Sequence, residues 1–110
     1  MSVQHKELAA GRWAQMPFVE QMANIGSEVE RALNWRVKNN EAYSRRASER
    51  ALELMGLTVE SASTFPRRRE IARVREAFVD DLFGSNSFRS TESSWKKYFL
   101  QFTYAARNRK

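Results

Sequence analysis

The chain has 110 residues, a net charge of +6 and a pI of about 10.2, which is one ordinary domain with a modest core and the electrostatic footprint of a polyanion binder. It has no cysteine and a single histidine, His5. Disulfides, thiolate zinc sites, His-based triads and Glu-x-x-His metal pairs are therefore excluded.

Residues 1–12 lack a clear period and read as a flexible N-terminal arm. No basic end followed by an apolar run marks a signal peptide, and no apolar run approaches the ~20 residues of a membrane helix. With the lack of cysteine, this points to the cytoplasm. From Pro17 the residues Phe18, Met22, Ile25, Val29, Ala32 and Leu33 recur by threes and fours, predicting a helix over 17–38 that stops at Asn39-Asn40. A second helix is predicted over 40–61, with Tyr43, Ala47, Ala51, Leu54, Met55 and Thr58 as its inner stripe. Ser63 or Thr64 then caps a third helix over 65–83, which carries Ile71, Val74, Phe78 and Leu82 and ends at Gly84 as a C′ glycine. After the loop 84–93, Ser90 or Thr91 caps a fourth helix with Trp95, Tyr98, Phe99, Phe102 and Ala106 at helical spacing. Four amphipathic helices with short connections predict an all-α, antiparallel (up-down-up-down) four-helix bundle over 13–107, with 108–110 as a basic tail.

Chemistry-bearing patterns are few. Neither GxxxxGK[ST] nor GxGxxG is present, so no phosphate loop is expected. Asp80 and Asp81 are adjacent on a helix and point about 100° apart, so they cannot both face one ion without a third partner. Hence no catalytic residue, metal ligand or cofactor is expected, and the chain does not read as an enzyme.

The basic residues carry more information. "FPRRREIARVRE" (65–76) holds five arginines in the ten positions after its proline. With Ile71 at the centre of the buried face, Arg67 and Arg75 fall about 40° to either side, Arg68 at about 60°, and Arg69 and Arg73 outward. Cations in a first helical turn and anions in a last one each oppose the helix dipole by ~0.3–1 kcal/mol. This helix has both, Arg67 to Arg69 at its start and Asp80 and Asp81 at its end. Something outside it must offset that cost. Antiparallel packing would pair Asp80 and Asp81 with Lys96 and Lys97. It would also gather Arg67, Arg68, Arg69, Arg107, Arg109 and Lys110 at one pole. With Arg73, these are the candidate contacts to an RNA or DNA backbone.

Interface residues are predicted at three positions. Gly26 interrupts a helix at a cost of ~1 kcal/mol against alanine. Close approach of another helix, in the same chain or a second subunit, explains it. Trp35 lies off its helix's stripe and suits a subunit anchor, and Arg75 borders the third helix's seam. A homo-oligomer follows, with a protein partner such as a nucleic-acid enzyme as a further prospect. The competing reading is an assembly module whose arginines pair with carboxylates across subunits.

Taken together, "W…NIGSEVERALNWR…N" (13–39), "RALELMGLT" (50–58), "REIARVREAFVDDLFGSNSF" (69–88) and "WKKYFLQFTYAAR" (95–107) resemble a family of small, largely uncharacterised prokaryotic four-helix-bundle proteins. The match rests on Gly26, Trp35, Arg75, Asn86 and Trp95 to Phe99. In architecture alone the chain is similar to two other groups. One is the proteins encoded by intervening sequences of bacterial ribosomal RNA genes. The other is the accessory variability proteins of diversity-generating retroelements. The latter likeness implies a basic ring-shaped oligomer that binds nucleic acid and a reverse transcriptase.

Overall fold

The computed structural model describes residues 11–108. These residues form helices and connections with no strand among them. A helical segment at 11–15 takes up residues 11 and 12 of the expected arm; residues 1–10, and with them His5, lie outside the described residues. Four long helices follow: α1 (Phe18–Val37), α2 (Glu41–Ser61), α3 (Phe65–Phe83) and α4 (Glu92–Arg107). The first three begin and end within a residue or two of their sequence predictions, and α4 begins directly after Thr91, one of its two expected caps.

The boundaries have local causes. Pro17 is the N-cap of α1, without a side-chain hydrogen bond, and its carbonyl accepts from the Glu20 and Gln21 N–H groups (3.0 Å each). The end of α1 is a Schellman turn. Asn39 adopts φ 61°, its N–H donates to the Arg36 carbonyl (3.0 Å), and Asn40 N–H donates to the Trp35 carbonyl (2.9 Å). Asn40 is also the N-cap of α2, its Oδ1 accepting from Tyr43 N–H at 3.1 Å. Two asparagines thus end one helix and begin the next. Thr64 caps α3, and Thr91 caps α4 in a reciprocal box with Ser94. Gly84 departs from expectation. Its φ is −117°, extended rather than left-handed, and the left-handed turn is made later by Asn86 (φ 56°). The space there is tight: a Cβ would lie 2.9 Å from Asp80 Oδ1 and 3.0 Å from the Asp80 carbonyl oxygen.

α1 packs against both α2 and α4, and α2 packs against α3. The core is one cluster drawn from all four helices, including Met22, Ile25, Leu33, Met55, Ile71, Phe78 and Phe99. It also includes Trp13, which falls in none of the predicted helical stripes. Its indole is 7% exposed and donates to Thr58 Oγ1 (2.8 Å), while its carbonyl accepts from Gln21 Nε2 (2.8 Å). Trp13 is therefore a core residue. Tyr43 moves the other way: predicted inside, it is 45% exposed, and Ser44 takes the inner position with its hydroxyl on the Ala32 carbonyl. Among the described residues every buried side-chain nitrogen and oxygen has a hydrogen-bond partner. No helix among them is long and apolar enough to cross a membrane.

Candidate nucleic-acid interface

The two ends of α3 resolve the dipole conflict differently. At the acidic end the offset is internal. Asp81, with its side chain 5% exposed, accepts from Arg36 of α1 (3.0 Å) and from Trp95 Nε1 of α4 (2.8 Å). Asp80 accepts from Ser87 Oγ (3.2 Å) and Phe88 N–H (3.3 Å) in the loop before α4. Lys96 and Lys97 were expected as these partners and are not. They are exposed on another side of α4, because the inward-facing residue at that turn is Trp95.

At the basic end the offset is largely missing. The Arg67 guanidinium lies over the Phe18 ring at 5.3 Å and reaches Ser63 Oγ at 3.3 Å. Arg68, Arg69 and Arg73 are exposed. Among the described residues none of the four is in ion-pair contact with a carboxylate. Arg75 is exposed as well, and no seam forms beside it among the described residues. The buried face of α3 is skewed toward Val74 and Phe78, which turns the Arg75 side outward, while Arg67, on the inner side by angle, is exposed in the first turn of the helix.

Phe18 links this turn to the far end of α4. Its ring meets Phe102 edge-on with centroids 6.2 Å apart, and Phe102 lies five residues before Arg107. The start of α3 and the end of α4 are thereby brought to the same region, where Arg107 is exposed. Arg109 and Lys110 lie outside the described residues.

Arg73 also borders a groove of about 450 Å³ between α3 and α4, lined by Glu70, Ala77, Phe88, Trp95 and Tyr98. On its wall Tyr98 donates to the Glu70 carboxylate. Burial, then the Glu70 hydrogen bond and charge, hold the Tyr98 hydroxyl well above the usual tyrosine range, with Arg73 pulling the other way.

Gly26 lies at a helix contact within the chain. A Cβ there would meet Phe99 Cβ at 2.7 Å, so α4 rests on the bare backbone of α1 and Gly26 does not face a second subunit. Trp35 is half-buried, with its ring edge-on to Tyr43 at 4.8 Å. Sequence reasoning missed the cations around this pair. Lys38 lies over Trp35 at 5.1 Å and Arg46 over Tyr43 at 5.4 Å. The signal was available: in each helix a cation follows an aromatic residue by three.

No protein-family model, curated protein or solved structure matches this chain.

Proposed function

We propose that this chain is a non-enzymatic, cytoplasmic basic accessory protein that binds the backbone of RNA or DNA, working as a homo-oligomer of antiparallel up-down-up-down helical bundles. The observation that carries the reading is the asymmetry of α3. Asp81 is paired with Arg36 inside the fold and Asp80 is hydrogen-bonded by the loop that follows, whereas Arg68 and Arg69 crowd the positive end of the helix, exposed and without a carboxylate among the described residues. Charges held against a dipole and left in water suit an anion supplied from outside. Arg73 and Arg107 extend the patch, and Arg109 and Lys110 continue the chain beyond it. The three-residue connections 38–40 and 62–64 support the antiparallel order.

The test is binding to a mixed RNA and DNA pool over a salt series, for the native chain and for Arg67→Ala/Arg68→Ala/Arg69→Ala. Binding should weaken as salt rises, and the triple variant should flatten the log–log slope by about one per arginine that reaches a phosphate. Absence of binding at low salt, or an unchanged slope, rejects the proposal.

One observation favours the assembly alternative. Leu100 and Tyr104 are 62% and 67% exposed one turn apart on α4, a surface suited to a second copy. That reading has the same triple variant dissociate the oligomer, which size-exclusion chromatography with light scattering detects.

A further inference from the structure

The elbow between α1 and α2 places two aromatic rings and several cations at one spot. Trp35 is three residues before the α1 C-cap and Tyr43 is three residues after the α2 N-cap. The Asn39-Asn40 turn holds their backbones by hydrogen bonds to Trp35 O and from Tyr43 N, so the 4.8 Å edge-on pair is fixed by the connection itself. Shallow grooves of about 280 and 300 Å³ flank Trp35 on its two sides. Four cations line them, Arg31, Lys38, Arg46 and Arg50, against two carboxylates, Glu28 and Glu30. Glu28 is shared by Arg31 (3.2 Å) and Arg50 (3.0 Å). Among the described residues Lys38 and Arg46 have no ion pair, and both lie on aromatic faces instead.

We infer that this elbow is a stacking platform for an unpaired base of single-stranded nucleic acid, with Trp35 as the platform and Lys38 and Arg46 as its phosphate contacts. A base has a π-face of the size of the indole, and stacking of this kind tolerates any sequence. Lys38 covers the Trp35 ring from a flexible stem. On binding it yields the ring to the base and carries its charge to the adjoining phosphate. The local excess of cations complements a polyanion and opposes a basic partner such as a second copy of this chain. A duplex, whose bases are already stacked, has no free face to offer. The inference rests on the nucleic-acid reading above but uses a separate site. Phe18, which Arg67 covers, lies about 25 Å from Trp35 along α1.

The native tryptophans make the test direct. Trp13 and Trp95 are 7% and 6% exposed, so quenching of emission by an oligonucleotide reports on Trp35. A thymidine 12-mer and an abasic 12-mer of the same charge are titrated into the full chain. The thymidine strand should bind more tightly and quench, while the abasic strand binds without quenching. Trp35→Leu, with helicity checked by circular dichroism, should lose on the order of tenfold in affinity for the thymidine strand and leave the abasic strand unchanged. Equal affinity for the two strands, or binding without quenching, overturns this inference and leaves the backbone reading standing. Failure of both strands to bind at low salt overturns this inference, and the salt series on the mixed pool then decides the backbone reading. If Trp35→Leu keeps its thymidine affinity but dissociates an oligomer, Trp35 is a subunit anchor and the inference falls. The comparison of the two strands on the native chain decides the matter even where the variant fails to fold.

Discussion

Two glycines in helix interiors have opposite meanings that only their neighbours reveal. At Gly26 a methyl group would press into Phe99 at 2.7–2.9 Å, and overpacking of this kind costs ~1–3 kcal/mol. Alanine's better helix propensity recovers ~1 kcal/mol of it. Gly26→Ala should therefore destabilise the protein by about 1 kcal/mol, lowering the melting temperature by several degrees. At Gly56 a Cβ meets nothing within 4 Å. Gly56→Ala should stabilise by roughly 0.5–1 kcal/mol, and thermal denaturation of the two variants side by side checks both signs. Tyr98 gives a residue-scale prediction in pH. Its hydroxyl pKa is raised in the folded state, by burial first and then by Glu70. The neutral phenol is thus favoured by folding. Its contribution is fully present below the ordinary tyrosine value of 10.0 and is lost as pH rises from there toward the folded value. Urea midpoints should fall more steeply above pH 10 in the native chain than in Tyr98→Phe. In absorbance titration the latest-ionising phenol should be missing from that variant.

At the scale of elements, three helices meet on one carboxylate. Asp81 of α3 joins Arg36 of α1 to Trp95 of α4, where α3 and α4 otherwise lean on each other through long side chains such as Tyr98 and Glu70. Asp81→Ala leaves the Trp95 indole N–H without its acceptor and returns the 37%-exposed Arg36 to water. The expected loss is about 2 kcal/mol, most of it from the unsatisfied indole. Asp81→Asn keeps one acceptor oxygen and should lose about half as much, as denaturant unfolding would measure. The helices themselves were readable from the chain because their periods, caps and asparagine stop are local. Thr64, Thr91 and Asn39-Asn40 act within a few residues of where they stand. The partner of Asp81 was not readable in this way. Lys96 and Lys97 are near in register, but direction around α4 matters more than distance along it. The inward-facing residue is Trp95, and the cation comes from α1, 45 positions away in sequence.

At the scale of the whole molecule, two of the basic regions hold cations against aromatic rings. One is the start of α3 with the end of α4, joined by Arg67, Phe18 and Phe102. The other is the α1–α2 elbow, with Lys38 and Arg46 on their aromatic rings. The salt series on the arginine variant probes the first, and the comparison of thymidine and abasic strands probes the second. A chain that used both would bind a single strand with a salt-dependent backbone component and a salt-insensitive stacking component.

By itself the sequence determined the helices, their limits and the conflict between α3's charges and its own dipole. All of these depend on residues three or four apart or on a single cap. Tertiary structure alone decided how each conflict ends. Asp81 found its partners on two other helices, Arg68 and Arg69 found none among the described residues, and Trp13 entered the core while Tyr43 left it. The physical reason is that helical periodicity gives the angle of a side chain about its own axis. Burial and pairing depend on which neighbouring helix lies at that angle, and the contacts between helices set that.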